Sequence, residues 1–458
     1  MNQTPRQTTA KRHQRIGIAW LLSSLLTFIT VYAGYRLYLA HKIKVKIGQI
    51  RQTGFPVTTA ELNQWYAAVP PEENAALILT NAFAHLVKVN TNTPNLPIIG
   101  RGKLPRRNEP LSPEMEQAIA DYVATNQVAL ELLEKGLALK SCRYPVDLTP
   151  GWDALLPHLV VLKNSAQLLA LKTLSEIENG ETAQAAESLQ TMLTLADTVA
   201  KEPLLISHLV WMRCYHMSYP CLERILCMPL PEDSLQRLSS MYQTMDTFED
   251  LQRAFVAERC VAFGSFAGSI QQIERLLESD TSDFGVTFGL WIIRVSGRWE
   301  LDELYYLNCM DGYLQAIKLD LPERMDAADE VSDQIQEMKR RRYPHILSGL
   351  FLPALGKAIN KDAGNIAHLR VAQTALAIEH YRLDNDRQLP ETLLKLVPDF
   401  LNAVPVDPFD GRPLRYMKAG KGYVVYSVGS DREDDGGKEK QPGDKSDSRY
   451  DFTFTVNR

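Results

Sequence analysis

The chain is short of the residues that mark most chemistries. Its six cysteines, at 142, 214, 221, 227, 260 and 309, form no CxxC pair. That leaves no basis for a thiolate zinc site, and six thiols in so long a chain do not amount to a disulfide framework. Cys214 and Cys221, if on one helix, stand about 10 Å apart, too far to bridge. Charge of one sign is also scarce. Lys+Arg number 50 against 55 Asp+Glu, a net −5, and no basic cluster is interleaved with aromatics, so nucleic acid is not an expected partner. HExxH, GxSxG, Walker A and GxGxxG motifs are all missing, which removes the sequence signatures of the common hydrolases and nucleotide binders.

Long hydrophobic runs are rare as well, and the single one is informative. Ile16 to Tyr35 is 20 residues without a charge, enough for a helix to cross the hydrocarbon core. Val31-Tyr32-Ala33 has the small-residue look of a signal-peptide cleavage site, but the run exceeds the usual apolar region of a signal, and Tyr35-Arg36 follows at once. The reading is an uncleaved anchor at 16–39 that engages the lipid bilayer, with 1–15 as a cytoplasmic tail. Basic residues flank both sides (Arg6, Lys11, Arg12 and Arg15 before; Arg36, Lys42, Lys44, Lys46 and Arg51 after), so charge alone does not orient it. The short basic tail sets the expectation: N-terminus in the cytoplasm, C-terminal part outside, in a single-pass protein of the cytoplasmic membrane.

Residues 40–360 read as a helical body. A basic, weakly helical stalk at 42–60 leads to a helix from Thr59. Asn90–Pro110 is a loop, and Ser112 is a good N-cap for a helix running to Leu139. Residues 159–200 form a helical hairpin that resembles one tetratricopeptide unit, with Gly180 where a left-handed C-cap is needed. The pattern does not return 34 residues on, so no repeat array follows. Helices are expected over Leu204–Leu226, Pro231–Phe263 and Ile270–Glu278. The apolar stretches Phe284–Ile293 and Ile346–Leu355 are too short to span a bilayer. The second is read as a core helix beside the solvated basic turn Lys339–Arg342.

The last quarter carries a fixed order of features: Tyr381-Arg-Leu-Asp-Asn385, Leu389-Pro-Glu-Thr-Leu393, Val406-Asp-Pro-Phe-Asp-Gly-Arg-Pro-Leu414, Tyr423-Val-Val-Tyr-Ser-Val-Gly429 and Asp431-Arg-Glu-Asp-Asp-Gly-Gly437. Over residues 362–456 that order resembles the C-terminal globular half of the type II secretion major pseudopilin. The resemblance implies a small α+β module at 361–458: a helix Ala363–Leu383 packed on strands Leu414–Met417, Tyr423–Val428 and Asp451–Val456. It also implies a Ca²⁺ ion held by Ser427, Asp431, Asp434, Asp435 and Asp451. An EF-hand is ruled out by register, because Pro442 falls where the bidentate Glu belongs. The inserted Lys438–Arg449 stretch departs from the family pattern and brings cations that compete with an ion. The N-terminus departs too, since Leu22 stands where pseudopilins carry Glu.

The fold class is therefore mainly α: an N-terminal transmembrane helix, a helical-hairpin body and a pseudopilin-like α+β module. The expected function is binding or assembly with an envelope protein partner, linked by the resemblance to a secretion or pilus-like system. The alternative is an envelope hydrolase with a site in the helical body. A surface pocket gathering two or more of His158, His208 and His216 with acidic residues favours the enzyme.

Overall fold

In the computed structural model, which describes residues 6–245, 248–277, 284–340, 345–440 and 450–458, α1 (Arg6–Gln52) is one unbroken helix. There is no weakly helical stalk. From Ile18 to Tyr38 its large apolar side chains stand exposed on every side, Trp20 at 71% and Leu21 at 72%. Leu39, Ile43 and Ile50 are then buried, spacings of four and seven residues that lay one face of the helix on the body.

The body follows as α2 (Thr59–Trp65), α3 (Ala75–His85), α4 (Pro113–Thr125), α5 (Gln127–Leu137), α6 (Pro157–Glu178), α7 (Thr182–Asp197) and α8 (Leu205–Leu226). Then come α9 (Glu232–Gln243), α10 (Phe248–Phe266), α11 (Ile270–Leu276), α12 (Phe284–Val295), α13 (Arg298–Ala316), α14 (Glu323–Arg340) and α15 (Ile346–Asp384). The N-cap at Ser112 is present, its hydroxyl accepting from Met115 N at 3.3 Å. The helix expected to reach Leu139 is instead two. Asn126 donates to Tyr122 O at 2.9 Å and accepts from Val87 N at 2.8 Å, so a contact with a distant loop breaks the helix where periodicity alone continues it. The segment Pro231–Phe263 likewise divides into α9 and α10. The α6–α7 hairpin turns at Gly180, whose φ of +78° is the left-handed geometry glycine accommodates, and α8 packs against both of its helices.

The 39-residue α15 is the spine of the molecule, about 58 Å long at 1.5 Å per residue. Its first half buries Leu347, Leu352, Leu355 and Ile359 in a core shared with α10, α13 and the docked end of α1. Its second half buries Leu369, Ala372 and Leu376 in the core of α2 to α9. The expected domain boundary at 360/361 thus falls in mid-helix.

Strands β1 (Arg415–Ala419), β2 (Gly422–Ser427) and β3 (Phe452–Val456) form an antiparallel sheet in the order β1-β2-β3, with Arg415 opposite Tyr426 and Tyr423 opposite Val456. Its inner side chains, Tyr423, Val425, Phe454 and Val456, enter the same core as the body helices. Tyr423 donates to Ala375 O at 3.1 Å and Tyr219 of α8 to Thr453 O at 3.0 Å. Thr455 N donates to Glu223 of α8 at 2.8 Å. The sheet is built into the helical body rather than hung from it.

Candidate functional site

The turn that launches β1 buries a carboxylate. Asp407 is fully buried and accepts from Phe409 N at 3.0 Å, Val428 N at 2.8 Å and Ser427 Oγ at 2.9 Å. Arg415, the first residue of β1, donates to it at 2.8 Å. The same guanidinium pairs with Asp410 and reaches 3.7 Å from Asp434 Oδ2, so it lies among three carboxylates. At Asp410 burial opposes ionisation, but the hydrogen bonds from Arg415 and Arg412 outweigh it and hold the carboxyl below its ordinary value. Gly411 supplies the turn with a φ of +72°, and Phe409 pins it against Met325, Ala363 and Ala367.

The five residues expected to hold Ca²⁺ lie close along the chain, and most are engaged in hydrogen bonds of their own. Ser427 is committed to Asp407. Asp451, 4% exposed, accepts from Gly437 N at 2.6 Å and Asp435 N at 3.4 Å, clamping the Gly436-Gly437 turn. Asp435 offers its backbone N–H there while its side chain is exposed. Asp434 accepts from Gly436 N at 3.0 Å and Tyr426 Oη at 3.2 Å, and Asp431 accepts from Glu433 N at 3.3 Å. Each carboxylate that accepts a bond closes a local turn. Among the described residues no three His, Cys, Asp or Glu side chains are grouped to hold a metal ion, whereas Ca²⁺ takes six to eight oxygens. Lys438 sits over the Tyr450 ring at 5.1 Å; Lys445 and Arg449 lie outside the described residues. Sequence reasoning missed Asp407, Asp410 and Arg415 as a cluster. The available signal was an arginine eight and five residues beyond two aspartates of one turn.

The three histidines occupy three separate clusters. His158 Nε2 lies 3.0 Å from Glu202, which also accepts from Ser207 Oγ at 2.5 Å. The carboxylate stands between serine and imidazole, so the imidazole cannot take the seryl proton as a nucleophile triad requires. His208 pairs with Asp362 at 2.9 Å, and Arg324 approaches that carboxylate at 3.6 Å, tying α8, α14 and α15 together. His216 meets the edge of the His368 ring at 4.8 Å. Burial, with His216 beside it, pushes His368 down to about 3 and keeps it neutral. A direct serine–imidazole contact occurs elsewhere: Ser239 Oγ is 2.9 Å from His380 Nε2, where α9 packs on α15. There His380 also bonds the Leu235 backbone, and no carboxylate hydrogen-bonds it among the described residues.

A cleft of about 980 Å³ opens between α2, the end of α5, the α7–α8 turn and the start of α10, lined in part by Trp65, Tyr66, Cys142, Asp197, Trp211 and Arg253. None of the three histidines lines it. Trp211 Nε1 donates to Asp197 at 2.9 Å, while burial pushes that carboxyl up to about 6. Burial also raises the Cys142 thiol to about 12, so it is protonated at neutral pH and not a nucleophile.

No family model, curated protein or solved structure matches the chain.

Proposed function

We propose that the chain is a single-pass membrane protein whose body has a non-enzymatic binding or assembly role at the outer face of the cytoplasmic membrane. One observation carries this reading. Ile18–Val31 of α1 is uncharged and exposed all round, and the same helix, without a break, then docks on the body. A bare apolar helix has two stable environments, a protein core or a bilayer, and the folded body does not cover this segment. The histidines lie in three separate contacts, His158 with Glu202, His208 with Asp362 and His216 against His368, rather than converging on one pocket. The likeness of residues 362–456 to a pseudopilin's globular half supports a partner in a secretion or pilus-like assembly, by analogy of fold. Arg415 supplies positive charge beside Asp407, Asp410 and Asp434 and so lets these carboxylates approach one another.

Protease treatment of intact spheroplasts expressing the full chain tests the placement. The body is expected to be digested from outside while the cytoplasmic tail survives. A body protected until the membrane is lysed contradicts the proposed side.

A further inference from the structure

The position where α1 leaves its bare segment coincides with a second exposed apolar surface. Arg36 Nη1 donates to the last carbonyls of α12, Val295 O at 3.2 Å and Arg294 O at 3.3 Å, and its guanidinium pairs with Glu300 of α13. The α12–α13 turn is so close that a Cβ on Gly297 would meet Arg36 Cδ at 3.0 Å and Tyr35 Cε1 at 3.2 Å. Ten residues further along α1 and eleven along α13, Lys46 pairs with Asp311 at 2.6 Å, so α1 and α13 run side by side away from this level. Eighteen residues separate Ile18 from Arg36, about 27 Å of helix, close to the thickness of the hydrocarbon core. If α1 spans the bilayer, Arg36 and the end of α12 lie at its surface.

The composition of α12 fits that depth. Leu290 is buried against the body, with Val286 and Ile293 packed beside it. Trp291, Ile292 and Val295 point outward, 52%, 44% and 45% exposed, and the Trp291 ring stacks on Phe288 at 6.1 Å. The helix is apolar on both faces, which is unfavourable in water and ordinary at a membrane boundary, where tryptophan concentrates. Charge supports the same level. Asp302 of α13 accepts from Leu347 N at the start of α15 at 2.9 Å, and Lys339 lies 3.6 Å from the position of a Gly349 Cβ. The exposed Lys339 and Arg340 at the end of α14 therefore rim the end of the body that carries α12, placed to meet lipid phosphates.

We propose that α12 is an interfacial helix. Its Trp291–Ile292–Val295 face seats in the headgroup boundary of the bilayer that α1 crosses, with Arg36, Lys339 and Arg340 at phosphate level. The body is thereby fixed against an anionic phospholipid surface instead of swinging from one anchor. This rests on α1 being the span, and the test separates the two claims.

The full chain would be reconstituted in vesicles of phosphatidylcholine and phosphatidylglycerol with benzoylphenylalanine at position 21 in the span, 291 in α12 or 236 on α9, then irradiated. Phospholipid adducts at 21 and 291 and none at 236 are expected. Adducts at 21 without any at 291, or adducts at 291 formed with a second copy of the chain, would overturn the interfacial helix while leaving the anchor intact. Loss of adducts at both 21 and 291 would overturn the anchor and the proposal with it.

Discussion

The two halves of α1 have the same backbone and much the same aliphatic content, yet they meet different surroundings. Ile18–Val31 is exposed throughout, while Leu39–Ile50 is wedged against α13, with Lys46 paired to Asp311. Apolar content alone therefore does not say which solvent a helix meets; what covers it does. In the first half every face is apolar, which suits lipid. In the second, a single stripe is buried and lysines fill the rest, which suits a protein–water boundary.

The sharpest way to break this comparison is to charge the bare half. Leu22→Arg with Leu25→Arg places two cations near the bilayer centre, at about 3 kcal/mol each on insertion scales. The chain should leave the membrane fraction while its circular dichroism melt stays unchanged. Next is the internal cation. Arg415→Leu strands buried Asp407 without its partner and is expected to cost about 3–5 kcal/mol in urea unfolding of the detergent-solubilised chain, with membrane retention intact. Added Ca²⁺ should leave the wild-type unfolding midpoint where it is; a marked rise would show that the acidic loop takes the ion after all.

The same small truncation then sharpens the contrast. Ile43→Ala in the docked half should cost about 2 kcal/mol of unfolding free energy, and Leu25→Ala in the bare half close to nothing. Equal effects would erase the distinction. His368, stacked on Phe452 at 4.6 Å, gives a pH test of the joined core. Its folded pKa is depressed to about 3 from 6.5, so the unfolded chain takes up a proton that the folded chain refuses. Its contribution is present above pH 6.5 and is lost as pH falls toward 3. His368→Phe should flatten that part of the melting-temperature profile. The smallest effect is Tyr219→Phe, which removes the hydrogen bond to Thr453 O and should cost about 1 kcal/mol.

Much of this architecture was legible. The stripes of the α6–α7 hairpin, the Ser112 cap, the Gly180 turn and the three strands are local signals, set by helix and strand periods and by backbone geometry. What escaped depends on contacts distant in sequence. Asn126 breaks a helix because Val87 reaches it, and α15 runs through 360/361 because two cores share it. Asp407 and Asp410 announced negative charge in the turn, but the cation that answers them, Arg415, is recognisable as their partner only once β1 is placed. Likewise Phe284–Ile293 was legible as apolar and too short to span; its level beside Arg36 was not.

The central claim is that the uncovered half of α1 is held by lipid. Alkaline carbonate extraction of membranes from cells expressing the full chain tests it most directly, with the Leu22→Arg, Leu25→Arg variant alongside. The account predicts wild type in the pellet and the variant in the supernatant. Wild type released into the supernatant would contradict it.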